Sequence, residues 1–265
     1  MATYVFSDVH GHLKPLDRAL DRISPSAQDK IFCLGDMIDR GPDGIEVAEF
    51  CRRLAGCKVL MGNHEQIMVD YMANPDEQAQ LMWNLNGGSA TYEALCSMDD
   101  DRRIEFLNWC ENLSIHAHVQ IEDRFYILTH AGLNPKQIPD YDNWDSQAIE
   151  EMLSMQQKDD LLWIREDFWC HPTGLIDSSG QGPVVVSGHT PTPMVGYMCD
   201  TCLGPAVNED NRCQMLECGA CLETSYKPDK LAIDCGAASG FDTGRILILR
   251  LEDGLKIYEN IGEDE

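Results

Sequence analysis

The segment at 35–41, with the sequence GDMIDRG, places two carboxylates and a guanidinium on a loop bounded by glycines. It follows the largely apolar segment 30–34, which is typical of a buried strand. A carboxylate such as Asp36 at the end of a strand can bind a cation, and an arginine such as Arg40 can donate two hydrogen bonds to a phosphate group. The same residue types also form surface turns, so this loop by itself is compatible with either interpretation.

Two more polar clusters follow apolar segments at similar intervals along the chain. Asp8 and His10 follow segment 3–6, and Asn63 follows segment 58–61. Apolar residues at helical spacing fill the intervals, so the first third of the chain predicts alternating strands and helices with parallel strand pairing. The carboxyl ends of such strands meet at one edge of the sheet, where ligands bind. The three polar clusters are therefore expected to converge.

The converging residue types suit metal-assisted hydrolysis of a phosphate ester. Two divalent ions can activate water and neutralise phosphoryl oxygens, and such ions bind carboxylates and imidazoles. Asp8 and His10 are two residues apart in an extended segment, so their side chains would leave on the same face and serve one ion. Asp36 is the natural bridge between the two ions. Three residues at predicted strand ends would serve the second ion: Asn63, His130 and His189.

The remaining pattern predicts an α/β fold with two packed mixed β-sheets flanked by helices. Helical periodicity dominates 65–113, with predicted caps at Asn74, Ser89 and Asp99 and predicted core positions at Trp83, Leu85 and Tyr92. Further strands are predicted at 115–121, 124–128, 183–187, 231–233, 245–251 and 255–261. No repeat or low-complexity linker divides the sequence, so residues 1–265 are expected to form a single domain.

Composition narrows the range of partners. The 265 residues carry a formal net charge of -25, which should repel nucleic acid and anionic membranes, so neither partner is expected. The sequence has no segment of about twenty apolar residues and no export signal, which predicts a cytoplasmic protein. Twelve cysteines in a reducing compartment are more often buried thiols or metal ligands than disulfides. The sequence makes no prediction about the oligomeric state.

Five sequence blocks occur in order along the chain: SDVHG at 7–11, GDMIDRG at 35–41, GNHE at 62–65, HAG at 130–132 and GHT at 188–190. In this order they match the signature blocks of calcineurin-like metallophosphoesterases. More narrowly, the chain resembles the phosphoprotein phosphatase family, in particular its small bacterial and lambda phage members. The segment DCG at 234–236 resembles the last strand end of that family.

This resemblance implies roles for individual residues. Asp8, His10 and Asp36 would bind one ion, and Asp36, Asn63, His130 and His189 would bind the other. His64 would be the general acid that protonates the leaving oxygen, and Asp39 would orient its imidazole. Arg40 and Arg165 would hold the phosphate. The ligand set favours manganese, although iron or zinc would fit the same residues.

The implied activity is hydrolysis of phosphomonoesters by direct attack of a metal-bridging hydroxide. The implied substrate is a phosphoprotein, through Ser/Thr or Tyr phosphate, or a small phosphomonoester. Glu65 favours this branch over symmetric diadenosine tetraphosphate hydrolases, which tend to carry aspartate there and are the first alternative. A non-catalytic zinc-ribbon interaction scaffold is the second alternative, although a scaffold need not keep His64, Asp39 and the ligands together. Arg165 would also fit a solvated position on an amphipathic helix.

Segment 195–226 is predicted to be a cysteine-rich insert. It contains two C-x-x-C pairs, Cys199 with Cys202 and Cys218 with Cys221. Fifteen residues separate the pairs, which is zinc-ribbon spacing, and four thiolates would close a tetrahedral structural zinc site. A disulfide, a redox pair and an iron-sulfur cluster are the alternatives. The insert is expected to wall the active site and to influence substrate choice.

Overall fold

In the computed structural model, which describes residues 1–141 and 143–265, two five-stranded β-sheets pack against each other and helices cover their outer faces. The strands are β1 (Thr3–Phe6), β2 (Lys30–Cys33), β3 (Cys57–Val59), β4 (His116–Ile121), β5 (Arg124–Thr129), β6 (Val184–Ser187), β7 (Leu216–Cys218), β8 (Lys230–Ala232), β9 (Arg245–Arg250) and β10 (Lys256–Asn260). This arrangement confirms the predicted α/β class with two mixed sheets.

The first sheet has the strand order β10, β9, β1, β2, β3. β1, β2 and β3 are parallel, whereas β9 is antiparallel to β1 and β10 is antiparallel to β9. The predicted alternation of strand and helix is therefore correct for the first third of the chain. β3 ends at Val59, two residues before the predicted end, and the next residue, Leu60, forms an isolated parallel bridge with Ser114.

The second sheet has the strand order β4, β5, β6, β8, β7. The predicted hairpin of β4 and β5 is present, and β5, β6 and β8 are parallel to one another. The edge strand β7 was not predicted from the sequence, because a three-residue strand leaves too short a pattern. It pairs antiparallel with β8.

The helices pack in two groups on the outer faces of the sheets. Those on the first sheet are α1 (Leu13–Ile23), α2 (Gly44–Arg53), α3 (Asn63–Ala73), α4 (Glu77–Leu85), α5 (Ser89–Ser97) and α6 (Asp100–Glu111). Those on the second sheet are α7 (Ser146–Met155), α8 (Lys158–Trp163), α9 (Glu166–Trp169) and α10 (Thr192–Met198). None of the described helices is both long and apolar enough to cross a membrane.

One of the three predicted helix caps is correct. The Asp99 side chain accepts a hydrogen bond from the Arg102 amide and caps α6. Asn74 instead follows the end of α3, and Asp76 caps α4 by accepting from the Ala79 amide. Ser89 is the first residue of α5 rather than its cap. The capping residue is the one whose side chain accepts a hydrogen bond from a free amide of the first turn. Residue type alone does not identify that residue.

The period-two alternation of strand side chains builds the layers. On β1, Val5 points between the two sheets while Tyr4 and Phe6 point toward the helices. On β6, Val184 and Val186 lie between the sheets and Val185 packs under the second helical layer. Both faces of each central strand are covered, which explains their nearly continuous apolar sequences.

The predicted cysteine-rich insert at 195–226 is part of the second sheet rather than an appended segment. It contains most of α10 and the whole of β7. Val195 and Leu216 are buried and belong to the same apolar cluster as α7 to α9. The segment therefore contributes buried apolar side chains to the core under the second group of helices.

The fold brings the ends of parallel strands from both sheets to one place. β1, β2 and β3 lead into the loops that carry Asp8, Asp36 and Asn63. β5 and β6 of the second sheet lead into His130 and His189. The backbone amide of Gly188 donates to the carbonyl of His130, which holds the second pair of loops together.

Candidate dinuclear metal site

The structure brings the six predicted metal ligands into one buried cluster. Each of these side chains has at most a few per cent of its surface exposed: Asp8, His10, Asp36, Asn63, His130 and His189. Two groups of potential ligand atoms can be recognised, one formed by His10, Asp36 and His64 and the other by Asp36, His130 and His189. Asp36 belongs to both groups, as the predicted bridging role requires.

The backbone around this cluster is strained at several residues other than glycine. Positive φ angles occur at Asp8, His10, Asp36 and His189, with values of 53°, 46°, 54° and 62°. Asp39 also has a positive φ of 67°. Such left-handed conformations are unfavourable for residues with a side chain, and they concentrate at functional sites where the surrounding structure enforces them.

Glycines allow the loops to approach each other this closely. A Cβ atom at Gly62 would overlap Oδ1 of Asp36, and a Cβ atom at Gly188 would overlap Oδ2 of Asp8. Both glycines belong to sequence blocks that also supply a ligand, Asn63 in one case and His189 in the other. The glycines of these blocks are therefore required by packing against carboxylates.

The buried carboxylate of Glu65 holds the Asp36 loop in place. Its oxygens accept hydrogen bonds from the amides of Asp36, Met37 and Gly62 at 2.9, 2.8 and 2.8 Å. The amide of His64 donates in turn to Oδ1 of Asp36 at 3.0 Å. The start of α3 thus fixes the position of the bridging carboxylate. This role of Glu65 was not predicted from the sequence, where the residue only favoured one branch of the family.

The hydrogen bonds of His10 and His130 support cation binding between them and Asp36. Nδ1 of His10 lies 3.0 Å from the carbonyl of Ile38, and Nδ1 of His130 lies 2.9 Å from the carbonyl of Leu34. A carbonyl can only accept, so in each neutral ring Nδ1 carries the hydrogen and Nε2 presents a lone pair. This is the usual arrangement of metal-binding histidines.

Both lone pairs face other acceptors. Nε2 of His10 is 3.6 Å from Oδ2 of Asp36, and Nε2 of His130 is 3.5 Å from Oδ1 of Asp36. Nε2 of His130 is also 2.9 Å from Oδ1 of Asn63. Acceptors that face one another in a buried site repel unless a proton or a cation lies between them.

His189 also contacts Asn63. Its Nδ1 lies 2.8 Å from Oδ1 of Asn63, while its buried Nε2 has no hydrogen-bond partner among the described residues. Its backbone amide donates to both oxygens of Asp8, at 2.9 and 3.0 Å. The donor set of carboxylates, imidazoles and one amide oxygen therefore fits two divalent cations.

Burial shifts the protonation of these groups toward their neutral forms. It raises the pKa of the Asp8 and Asp36 carboxyls well above the usual range, and neighbouring carboxyls raise both further. It lowers the pKa of His10 and His189 well below the usual range, and it lowers the pKa of His130 to about 3. The histidines are thus held as neutral ligands, and divalent cations would restore the charge of the carboxylates.

The proposed acid, His64, is held by a second carboxylate. Nδ1 of His64 donates to Oδ2 of Asp39 at 2.7 Å, which leaves Nε2 facing Oδ2 of Asp36 at 3.9 Å. The indole of Trp83 also donates to Oδ2 of Asp39, at 2.9 Å. The predicted burial of Trp83 is correct, but its contact with Asp39 was not foreseen. Of its predicted core neighbours, Tyr92 is half-buried against Trp83 and Leu85 is 76% exposed.

Two guanidinium groups lie at this cluster. NH2 of Arg40 is 3.2 Å from Nε2 of His64, and NH1 of Arg165 donates to Oγ1 of Thr190 at 3.3 Å. Arg40 is exposed and Arg165 is half-buried, so both can meet a ligand that enters from solvent. Arg165 lies directly before α9 and contacts Thr190 beside the cluster. It is therefore not a solvated residue on the surface of a helix, which was the alternative interpretation.

Asp234 is a further buried carboxyl at the cluster. Burial raises its pKa to about 6, and the charges of Arg40 and Arg165 oppose this shift. The same two arginines interact with Asp8 through their charges. The backbone carbonyl of Asp234 accepts from the amide of Thr192, which links β8 to the start of α10. This position of Asp234 at the cluster was not predicted from the sequence, although the DCG segment resembles the last strand end of the family.

The structure brings together three of the four cysteines of the predicted zinc site. The sulfur atoms of Cys199, Cys202 and Cys218 lie within 4.8 Å of one another. Cys221 is not part of this group, and its sulfur instead accepts from Oγ1 of Thr224 at 3.8 Å.

The calcineurin-like phosphoesterase family model matches residues 1–219 of this chain. Curated proteins with significant similarity include symmetrical bis(5'-nucleosyl)-tetraphosphatases. That of Erwinia tasmaniensis is 28% identical over 140 residues, which cover 51% of this chain and 46% of the relative. That of Vibrio parahaemolyticus is 26% identical over 190 residues, which cover 69% and 62%. The alignment thus spans about half to three fifths of the length of these relatives.

Solved structures with a similar fold include a putative diadenosine tetraphosphatase, with a TM-score of 0.60 and 17% identity over 99% of this chain and 94% of that chain. A protein serine/threonine phosphatase from Saccharomyces cerevisiae has a TM-score of 0.52 and 14% identity over 100% of this chain and 81% of its own. These similarities concern the fold. The family match and the dinuclear ligand cluster lead to one conclusion: the chain belongs to the calcineurin-like phosphoesterase family.

Proposed function

We propose that this protein hydrolyses phosphomonoesters, with protein-bound phosphoserine, phosphothreonine or phosphotyrosine as the first substrate class. The observation that carries this proposal is the pair of guanidinium groups, Arg40 and Arg165, beside the buried carboxylate and imidazole cluster. A phosphomonoester is a dianion at neutral pH, and two arginines can bind more of its oxygens than one. Polymeric polyanions are disfavoured by the net charge of -25.

The residues that would hold two divalent ions are Asp8, His10 and Asp36 for one ion and Asp36, Asn63, His130 and His189 for the other. Such ions supply Lewis acidity and activated water when bound. The ligand set is compatible with manganese, iron or zinc. The chain itself contributes the fixed spacing of these ligands, through the strained loops and the Glu65 hydrogen bonds.

His64 is suited to donate a proton to the leaving oxygen. Asp39 accepts the Nδ1 hydrogen, so Nε2 is the atom that can carry the transferable proton. Trp83 and the hydroxyl of Thr91 restrain Asp39, because the indole donates to its carboxylate and the Asp39 amide donates to Oγ1 of Thr91.

A second candidate function is symmetrical cleavage of bis(5'-nucleosyl) tetraphosphates. The names of the curated relatives support it. The same arginines could bind a polyphosphate chain, and the same dinuclear chemistry cleaves an anhydride. One observation counts against it as first choice: the alignment covers about half of the first of these relatives.

The test compares kcat/KM for four substrates on the same manganese-loaded preparation. The substrates are a phosphoserine peptide, a phosphotyrosine peptide, an aryl phosphate and diadenosine tetraphosphate. We expect the phosphomonoesters to be turned over faster than the dinucleotide. Faster cleavage of the dinucleotide to two nucleoside diphosphates would replace the first proposal by the second.

Arg165→Lys provides a sharper form of this test. Lysine keeps the charge but loses the forked donor geometry, so kcat/KM for phosphomonoesters should fall by about tenfold or more, as expected when about 1.4 kcal/mol of transition-state stabilisation is lost. Arg22→Lys is the control, because Arg22 is exposed and paired with Glu259 away from the cluster. Equal activity of both variants would remove Arg165 from phosphate binding.

A further inference from the structure

Three cysteine thiols, those of Cys199, Cys202 and Cys218, form a compact group near the end of α10 and the edge strand β7. This group is separate from the cluster of carboxylates and histidines around Asp36, which is called the phosphoesterase cluster below. Cys199 follows the last residue of α10, and Cys218 is the last residue of β7. Cys202 is placed beside Cys218 by an isolated antiparallel bridge, in which the amide of Leu203 donates to the carbonyl of Glu217 at 2.8 Å. The close approach of the sulfur atoms is therefore a consequence of backbone pairing.

The sulfur atoms are too far apart for a disulfide and close enough to surround a single cation. Sγ of Cys202 and Sγ of Cys218 are 3.0 Å apart, about 1 Å longer than a sulfur-sulfur bond, and all three cysteines are free. Three sulfur atoms within 4.8 Å of one another leave room for one cation at thiolate bonding distance.

The fourth cysteine lies within reach along the chain. Cys221 follows Cys218 by three residues, across a turn at Gly219 where φ is +83°. Its sulfur accepts a weak contact from Thr224 at 3.8 Å, and both Cys221 and Cys202 are partly exposed. The three-residue spacing of Cys218 and Cys221 is typical of paired zinc ligands, and the partial exposure gives a cation a route from solvent.

We propose that Cys199, Cys202 and Cys218 bind one zinc ion and that Cys221 completes a tetrahedral four-thiolate site. Soft thiolates select zinc over hard cations such as manganese or magnesium, so this site and the phosphoesterase cluster would take different metals. The proposal does not depend on the substrate of the phosphoesterase cluster.

The position of this site suggests what zinc would stabilise. α10 begins at Thr192, three residues after His189, and the Thr192 amide donates to the carbonyl of Asp234. A zinc ion at the other end of α10 would fasten that helix to β7 and β8. It would thereby restrain the loops of His189 and Asp234 without contacting substrate.

The experiment titrates metal-free, reduced protein with Co²⁺, which replaces zinc and reports thiolate ligands by sulfur-to-metal charge-transfer absorption. We expect one equivalent to produce this absorption in the wild-type protein and in Cys96→Ser, whose exposed thiol lies on α5. Cys199→Ser and Cys218→Ser should lose it. Asp36→Asn should keep it, which separates this site from the dinuclear cluster.

A second measurement needs no variant. Zinc should slow the alkylation of Cys199, Cys202, Cys218 and Cys221 by iodoacetamide at least tenfold, as followed by peptide mass spectrometry, and should leave the rate at Cys96 unchanged. Three results would overturn the proposal: no charge-transfer absorption in the wild-type protein, absorption that survives in Cys218→Ser, or equal alkylation rates with and without zinc. A Cys202 to Cys218 disulfide in protein purified without reductant would count against it equally.

Discussion

At the residue scale, the cluster is defined by acceptors that face each other in a buried space. The Nδ1 atoms of His10 and His130 are committed to backbone carbonyls, so their Nε2 lone pairs point toward Asp36. Without a cation this arrangement is unfavourable, because burial also opposes protonation of both rings. The side chains are therefore placed to bind a metal ion rather than to form hydrogen bonds with one another.

His64→Asn tests the acid role at this scale. The amide cannot donate a proton to the leaving oxygen, so turnover of alkyl phosphates should fall by about 10² to 10⁴-fold. Turnover of an aryl phosphate with a good leaving group should fall much less, because that leaving oxygen needs no proton. Steady-state kinetics on both substrates would check this.

The matched control is His116→Asn, since His116 lies on β4 outside the ligand cluster. Its activity on both substrates should equal that of the wild-type protein. An equal loss on good and poor leaving groups in His64→Asn would contradict the acid role and indicate a positioning effect instead.

At the element scale, the loops that follow parallel strands position the chemistry, and the first turn of α3 fixes the central loop. Glu65 satisfies three backbone amides around Asp36 while fully buried. The glycines at 62 and 188 make room for the carboxylates. Local helix propensity does not explain these features, which exist because the loops meet at buried carboxylates.

Glu65→Gln should lower both stability and metal affinity. The new amide group must turn an N–H toward backbone N–H groups that need an acceptor, and leaving such a buried donor unpaired costs about 1 to 3 kcal/mol. Urea unfolding of the metal-free protein would measure this loss. Glu105→Gln is the control, because that exposed carboxylate only pairs with Arg52 and should change stability by less than about 1 kcal/mol. Equal stability of the two variants would show that Glu65 does not hold the loop.

The sequence predicted the elements that carry the ligands because each ligand stands in a short polar block directly after an apolar strand. Asp36 and His189 could be placed in this way. The contact of Trp83 with Asp39 could not, because it joins residues 44 positions apart through a helix packing that no local pattern records. β7 was missed for a related reason, since its three residues form a strand only by pairing with β8.

At the scale of the whole molecule, two sheets pack through a shared apolar layer, and this packing stabilises the fold. It thereby offsets the cost of burying the polar side chains of the cluster. The layer between the sheets includes Val5, Leu128 and Val186, all fully buried. Strands from both sheets end at the cluster, so packing of the sheets and spacing of the ligands are linked. Metal binding should therefore stabilise the entire fold, by mass action on the native state.

The pH dependence of the metal-free protein should reveal the neutral histidines. The pKa of His130 is about 3 in the folded protein and about 6.5 in the unfolded chain. As the pH falls, the unfolded chain is therefore protonated at this residue before the folded protein is. The stability that the neutral His130 contributes to the folded protein is fully present above about pH 6.5. It is lost as the pH falls toward 3, by at most about 1.4 kcal/mol per pH unit.

His130→Asn removes this contribution. The difference in unfolding free energy between wild-type and variant protein, measured with urea in a chelator at pH 7, 6 and 5, should therefore decrease as the pH falls. A difference that stays constant over this range would contradict the assignment of a neutral, buried His130.

The central claim is that Asp36 unites two metal-binding groups for phosphoester hydrolysis. The most direct measurement titrates metal-free protein with Mn²⁺ and follows aryl phosphate turnover together with bound metal. We predict no turnover without metal, a rise in turnover as two ions bind, and loss of both binding and turnover in Asp36→Asn, with folding verified by circular dichroism. Turnover by the metal-free protein, or a fully active Asp36→Asn variant, would contradict the claim.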